Sequence, residues 1–184
     1  MNYKDYQNSR DLSWKILLQE RVSELPVKIS RLCRQMGIEV YQYTPNDDND
    51  GYCTIIGGKP RIYISDRCLP QRQRFSCAHE LGHILLGHVN EEELVNREPD
   101  PKDNPIEQAA NVFAARILAP ACVLWALDAR TPKEIAALCD ISHQSAKFRA
   151  ERMELLYKRG MFLSHPLERA VYQQFTGFIQ KRKG

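Results

Sequence analysis

Two histidines and a glutamate lie close together in the middle of the chain, where the run RFSCAHELGHILLGH places His79, Glu80 and His83 in an HExxH pattern. On an α-helix, His79 and His83 lie about 40° apart and one turn along the axis, so both imidazoles can bind one zinc ion. Glu80 lies about 60° from His83, where its carboxylate can take a proton from a water molecule and deliver it to a leaving amine. The pattern therefore predicts zinc-dependent hydrolysis of peptide bonds.

The alternative interpretation is a pair of buried histidines that serve only the packing of the helix. It would have to explain two imidazoles and a carboxylate on one side of a helix whose neighbouring positions are leucine and isoleucine. Burying that many polar groups without a metal ion or polar partners is energetically costly. The spacing therefore favours the metal site.

A catalytic zinc ion needs a third protein ligand and one open position. His88 is close in sequence, but on a continuing helix it would point about 180° away from His79, so we interpret it as a helix-end residue. Glu107 begins the segment EQAANVF, and Asn111 lies one turn further on the same face, where it could accept the Nδ1 proton of His79. Glu107 also fits a capping box behind Asn104, and six other acidic residues precede it, so spacing alone leaves the third ligand open.

The two segments RQRFSCAHELGHILLGH and EQAANVFAARILAP together resemble the ImmA/IrrE family of metallopeptidases. In that family a basic-Phe-x-x-Ala segment leads into HExxH, and a later helix with an E-x-x-A-(D/N)-x-F-A-A-x-L-L-x-P pattern carries the third ligand. The resemblance covers residues 51–120 and implies one zinc ion bound by His79, His83 and Glu107, with Glu80 as the catalytic base. Two departures are visible, since Asn111 replaces a frequent aspartate and ILAP stands where LLMP is common. Neither departure changes a ligand.

The resemblance also implies a substrate, because members of this family typically cleave helix-turn-helix repressors of mobile genetic elements or stress regulons. A second pattern bears on peptide binding independently. The β-rich runs YCTII and RIYIS flank a short glycine-containing loop and predict a hairpin. If RIYIS is an edge strand beside the metal, an extended substrate could pair with it through Ile62, Tyr63 and Ile64. An ordinary sheet edge explains the pattern equally well.

The elements around the motif predict an α+β fold. Apolar periodicity predicts a helix over 11–25 and a short helix after Pro26 that Gly37 ends, and alternation in IEVYQY predicts a strand before the hairpin. The motif helix is expected over 72–87, and the last third is helical. We expect a small antiparallel sheet packed against a zincin-type HExxH helix. Residues 1–128 would form the metallopeptidase domain and 129–184 a helical, helix-turn-helix-like region.

The C-terminal region supports a competing function. TPKE predicts a capping box, and the lengths and spacing of the two helices that start there are typical of a helix-turn-helix. Its recognition helix would start near Ser142 and expose Gln144, Lys147 and Arg149. The chain could then be a DNA-binding regulator with a non-catalytic zinc site, or a module that binds a repressor without cutting it. A net charge of +3 is small for a DNA-binding protein. We therefore expect these helices to pack on the catalytic domain or to recognise the substrate.

The composition limits the location of the protein. The chain has 184 residues, of which 43% are hydrophobic and 27% charged, as in a soluble globular protein. We expect no apolar stretch to approach the roughly 20 residues that span a bilayer, and we expect no secretion signal at the N-terminus. Six cysteines at irregular spacing predict reduced thiols. We therefore expect a cytoplasmic protein without a membrane partner, and no pattern predicts its oligomeric state.

Overall fold

The computed structural model describes residues 1–89, the short strand at 95–96 and residues 104–184. The chain is α+β, and helices make up most of it. The described elements, in chain order, are α1 (Tyr3–Gln19), α2 (Ile29–Gln35), β1 (Glu39–Tyr43), β2 (Gly51–Ile56), β3 (Lys59–Ser65), α3 (Pro70–Leu85), β4 (Val95–Asn96), α4 (Pro105–Leu118), α5 (Ala121–Ala126), α6 (Pro132–Cys139), α7 (His143–Arg159), α8 (Pro166–Gln174) and α9 (Thr176–Lys183). The six acidic residues considered as alternative ligands, at 91–103, lie outside the described residues.

The predicted hairpin is confirmed. Strands β2 and β3 pair in antiparallel fashion, with Ile56 opposite Lys59. Gly57 and Gly58 connect them, and both have positive φ angles, of 58° and 72°. A two-residue turn of this kind requires left-handed backbone at both positions, which glycine adopts without a steric penalty.

The sheet as a whole differs from the antiparallel sheet that was expected. The strand order of the described residues is β1-β3-β2-β4, and β1 pairs parallel to β3, with Val40 opposite Ile62. The sheet is therefore mixed. The expectation was wrong because it paired β1 with its neighbour in sequence, whereas β3 lies between β1 and β2.

Strand β3 is not an edge strand, which corrects the sequence-based expectation for RIYIS. It pairs with β1 on one side and with β2 on the other. Ile62 and Ile64 are buried, and Tyr63 stacks between the rings of Tyr41 and Tyr52, at centroid distances of 5.3 and 4.8 Å. An added strand needs unpaired backbone groups, and the backbone of β3 is already paired on both sides. Peptide docking through its main chain is therefore excluded.

Helix α3 starts two residues earlier than the pattern predicted. Pro70 is its first residue, a position where the missing N–H of proline costs no hydrogen bond. The first turn is tied to the hairpin, because the side chain of Gln73 donates to the carbonyl of Ser65 at 3.0 Å and Arg72 pairs with Asp50 at 2.7 Å. Every residue of α3 from 76 to 83 is buried. The HExxH motif therefore lies in the interior of the protein.

Helices α3 and α4 approach each other closely at Gly82. A Cβ atom placed on Gly82 would lie 3.1 Å from Cδ1 of Phe113 and 3.3 Å from the Cα atom and the carbonyl oxygen of Ala110. These distances are shorter than most Cβ contacts in proteins. A glycine at this position therefore allows the first turns of α4, which carry Glu107, to lie against the motif helix.

The chain divides into two compact units that are interleaved in sequence. One comprises Met1–Arg10 with Lys28–Ala114 and contains the sheet and α3. The other comprises Asp11–Val27 with Ala115–Gly184 and is helical, and in it the side chain of Gln174 donates to the carbonyls of Leu17 and Val22 at 2.7 Å each. The functional division into 1–128 and 129–184 stays a prediction.

Within the second unit, the predicted capping box of α6 is confirmed. The Thr131 hydroxyl accepts from the backbone of Glu134, and the Glu134 carboxylate accepts from the backbone of Thr131. Gln144 and Lys147 of α7 are exposed as expected. Arg149 is not, because it is buried and its Nε donates to the carbonyl of Ala119 at 2.8 Å. The expectation that α7 displays Arg149 was therefore wrong.

One helical run passes a test for membrane spans by length and composition alone. Pro105–Ala126 has 22 residues and a mean hydropathy of 1.5 in its most apolar window. This corrects the statement that no apolar stretch approaches such a length. Because 78% of that window is buried within the protein, as in the core helix of a soluble protein, the run is weak support for a membrane span.

Candidate metal centre

Three side chains from two helices converge on one point inside the first unit. His79 and His83 come from successive turns of α3, and Glu107 comes from the first turn of α4. The two Nε2 atoms lie 2.9 Å apart, and each lies 3.1 Å from one oxygen of Glu107. All three residues are at most 2% exposed. Of the candidate third ligands within the described residues, Glu107 is the one that the structure brings to the two histidines.

The helix cap that competed for Glu107 is satisfied in another way. The Asn104 side chain accepts from the backbone N–H groups of Ile106 and Glu107, at 3.0 and 3.4 Å. Asn104 is therefore the N-cap of α4, as predicted. In a capping box the glutamate side chain would turn back to the N-cap backbone, whereas here the Glu107 carboxylate faces the two imidazoles.

Each of the two histidines has a second polar contact at its Nδ1 atom. Nδ1 of His79 lies 3.0 Å from Oδ1 of Asn111, one turn along α4 from Glu107. An amide oxygen only accepts, so His79 donates from Nδ1 and its Nε2 keeps the lone pair that faces Glu107 when the ring is neutral. The contact between Asn111 and His79 was expected from the sequence, and the structure brings the two residues together.

The contact at His83 was missed by the sequence analysis. Nδ1 of His83 lies 3.2 Å from Nδ1 of His88, and the two ring centroids are 5.2 Å apart. The helical projection that turned His88 away was wrong, because α3 ends at Leu85 and Gly87 has a φ of +73°. A glycine directly after a helix commonly takes this left-handed conformation and reverses the chain, so Gly87 was the available signal.

The donor set fits a divalent cation. The two Nε2 atoms and the carboxylate oxygens are hydrogen-bond acceptors when both rings are neutral with the proton on Nδ1. Oε2 of Glu107 is buried and accepts no hydrogen bond of good geometry from the described residues. Ligands placed tetrahedrally about 2 Å from zinc lie roughly 3.3 Å from one another, close to the separations of 2.9 and 3.1 Å observed here. A cation would satisfy three acceptors that otherwise face one another.

Two pKa shifts follow from this packing. Burial alone would raise the pKa of Glu107, but the hydrogen bonds and positive charge that His79 and His83 supply when they are protonated outweigh it and hold the pKa at about 2. Burial and the nearby charge of His83 lower the pKa of His88 to about 4. At neutral pH, Glu107 is therefore a carboxylate and His88 a neutral imidazole.

Glu80 lies on the buried side of α3, next to the sheet. It is 1% exposed, and its carboxylate is hydrogen-bonded to Cys53 on β2. Burial raises the pKa of Cys53, and the charge of Glu80 together with a hydrogen bond to its carboxylate raises it further. Cys53 therefore remains a thiol that donates to Glu80. No pattern in the sequence pairs Cys53 with Glu80.

The sequence is similar to those of known metalloproteases. Residues 33–151, more than half of the chain, match the model of the Peptidase_M78 family, described as the IrrE N-terminal-like domain. The radiation response metalloprotease IrrE of Deinococcus deserti is 35% identical over 98 residues, which cover 47% of this chain and 34% of that protein. Its namesake in Deinococcus radiodurans is 32% identical over 98 residues, which cover 47% of this chain and 29% of that protein. The chain thus matches about a third of the length of these relatives.

Proposed function

The chain belongs to the ImmA/IrrE family of metallopeptidases, and from this premise we propose that it is a zinc-dependent endopeptidase that cleaves a helix-turn-helix repressor of a mobile genetic element or a stress regulon. The observation that carries the proposal is the convergence of His79, His83 and Glu107 within 3.1 Å of one another in the interior of the protein. Two imidazoles and one carboxylate leave a fourth position open for substrate, as in catalytic rather than structural zinc sites.

In this proposal His79, His83 and Glu107 hold one zinc ion. The ion would supply Lewis-acid polarisation of the scissile carbonyl and would make a water molecule more acidic. The Glu107 carboxylate is ionised at neutral pH because its pKa is about 2, so no proton competes for its oxygens. Asn111 holds the proton on Nδ1 of His79 and directs the Nε2 lone pair toward the ion.

Glu80 is the proposed general base. It follows His79 directly on α3 and, like the two imidazoles, is buried. Its carboxylate would accept a proton from the attacking water and deliver it to the amide nitrogen as the peptide bond breaks. The thiol of Cys53 donates to this carboxylate and helps to fix its orientation. Burial keeps bulk water from competing for the same carboxylate.

The sheet and the C-terminal helices have supporting roles in the proposal. Strands β2 and β3 back α3, as the sheet does in zincins. Residues 1–128 would carry the chemistry, and the exposed face of α7 with Gln144 and Lys147 would recognise the repressor. If that is so, replacing both exposed residues by alanine slows cleavage of the repressor but not of a short peptide. Equal slowing of both reactions would contradict this division of roles.

A cytoplasmic location fits a peptidase of transcriptional repressors. The six cysteines are all free, and five of them are buried. Disulfides are rare in reducing compartments, where free thiols persist. Recovery of the native protein in the membrane or secreted fraction of its cells would contradict the proposed location.

The proposal is tested by replacing Glu80 with glutamine and incubating the protein with a helix-turn-helix repressor, in the first instance one encoded beside its gene. The parent should bind one zinc ion per chain and cut the repressor, and a chelator should abolish cutting. Glu80→Gln keeps the shape of the side chain but cannot take the proton, so cleavage should fall about 10²–10⁴-fold while zinc binding persists. Cleavage by Glu80→Gln at the rate of the parent would refute the general-base role. A parent that binds zinc and the repressor without cutting would be a binding module instead.

A further inference from the structure

We propose that His88 is a positioning residue for His83: it accepts a hydrogen bond from Nδ1 of His83 and thereby directs the Nε2 lone pair of His83 toward the shared metal point. The inference rests on the proposed function, since it gives His83 a ligand role. It adds a residue outside the HExxH motif whose contribution is orientation rather than coordination.

The end of α3 brings His88 to His83. Leu85 is the last helical residue, Leu86 is the C-cap, and Gly87 turns the chain with a φ of +73°. The backbone N–H of His88 then donates to the carbonyl of His83 at 2.9 Å, which is the long hydrogen bond of a Schellman motif. In this motif the second residue after the C-cap lies close to the third-last residue of the helix. Here the second residue after the C-cap is His88, and the third-last helical residue is His83.

The two rings meet in an orientation that suits one hydrogen bond. Their Nδ1 atoms lie 3.2 Å apart, and the ring planes are inclined by 69°. One of the two nitrogens must carry the proton, because two lone pairs at this distance would repel each other. If His83 carries it, the Nε2 atom of His83 has the lone pair that faces Glu107 at 3.1 Å. The tautomer that serves the metal point is therefore the one in which His88 accepts.

Both ligand histidines have a hydrogen-bond partner at Nδ1, but the two partners come from different parts of the chain. His79 donates to Asn111 across the contact between α3 and α4, whereas His83 donates to a residue in the cap of its own helix. A partner at Nδ1 restricts rotation of the ring and fixes its tautomer, and loss of such a partner typically weakens metal binding 10- to 100-fold. Both imidazoles are then held before any ion arrives.

Zinc affinity of the full chain, measured by competition with a chromogenic chelator, tests the proposal. We expect His88→Ala to bind zinc about 10- to 100-fold more weakly than the parent. His88→Gln, whose amide oxygen can accept the same proton, should regain most of the loss. His143→Ala, which removes an exposed histidine at the start of α7, should bind zinc like the parent and serves as the matched control. Thermal unfolding of the zinc-free proteins shows whether each variant is folded.

The outcomes separate this proposal from the one on which it rests. A parent that binds no zinc would overturn both. A parent that binds zinc together with an equally tight His88→Ala would overturn the role of His88 alone. Weak binding by both His88→Ala and His88→Gln, with unchanged melting temperatures, would also overturn it, because the accepting atom would then be irrelevant. If His88→Ala fails to fold, the affinity of the folded His88→Gln decides between these results.

Discussion

Two helix pairs have polar sequence patterns that each suggested a function, but their buried polar side chains make different kinds of contact in the structure. In the pair α3 and α4, the side chains of His79, His83 and Glu107 turn toward one another in the interior. In the pair α6 and α7, the buried side chain of Arg149 on α7 donates to the carbonyl of Ala119, which lies between α4 and α5. The first pair brings acceptors together around one point, whereas Arg149 joins a donor to an acceptor of the backbone.

The difference shows how a functional polar cluster can be recognised. A buried donor paired with a buried acceptor is complete and needs no ligand to justify its burial. Three acceptors within 3.1 Å of one another are incomplete, because a proton or a metal cation must lie between them for the cluster to be stable. Burial of polar residues alone therefore does not separate a binding site from a structural contact, and the balance of donors and acceptors does.

The largest expected effect comes from removing one acceptor of the cluster. Glu107→Ala should weaken zinc binding roughly 10²- to 10³-fold, since the ligands of a structural zinc site together contribute about 10–16 kcal/mol and one of three protein ligands is lost here. Glu154→Ala, which removes an exposed glutamate of α7, is the control and should leave zinc affinity unchanged. Measurement is by competition with a chelator. Equal zinc affinity in Glu107→Ala and the parent would remove α4 from the metal site.

Patterns within short segments predicted the local parts of this site well. The hairpin, the motif helix and the capping box of α6 depend on residues within a few positions of one another, and all three are present. The ligand candidates on α3 belong to the same class, because helical geometry alone fixes the angle between His79 and His83.

The features that the sequence did not predict depend on contacts between distant segments or on turns that end a helix. The parallel pairing of β1 with β3 joins strands that are not neighbours in sequence, so the edge position of β3 was predicted wrongly. Spacing alone left the position of Glu107 beside the histidines open, because two helices must pack before the distance is set, and the family resemblance was what implied it. The contact of His88 was missed for a local reason, since a helical projection does not apply beyond a left-handed Gly87.

The second prediction concerns the hydrogen bond from Arg149 on α7 to the carbonyl of Ala119. Arg149→Met keeps much of the side-chain volume but leaves the carbonyl of Ala119 without its Nε donor, which should lower the free energy of unfolding by about 1–3 kcal/mol. Lys147→Met, at an exposed position on the same helix, should change it by less than about 0.5 kcal/mol. Urea denaturation measures both. If Arg149→Met is fully stable but loses affinity for duplex DNA, the helix is a DNA reader and the comparison fails.

The smallest effect is expected where α3 and α4 approach each other at Gly82. Alanine favours a helix over glycine by about 1 kcal/mol, but the new Cβ atom would lie 3.1 Å from Phe113 and 3.3 Å from Ala110. These opposing terms should leave the free energy of unfolding nearly unchanged, within about 1 kcal/mol. The helices must still separate slightly, and Glu107 moves with α4, so zinc affinity should fall a few-fold.

The matched control is Gly177→Ala in α9, where an added Cβ atom meets nothing within 4 Å. It gains the same helix propensity without moving a neighbour, so it should raise stability by up to about 1 kcal/mol and leave zinc affinity unchanged. Comparison of the two variants separates helix propensity from helix separation. If Gly82→Ala is stabilised like Gly177→Ala and keeps full zinc affinity, then close packing of α3 on α4 is not what holds Glu107 in place. The contacts among His79, His83 and Glu107 themselves, rather than the packing of α3 on α4, would then determine the geometry of the cluster.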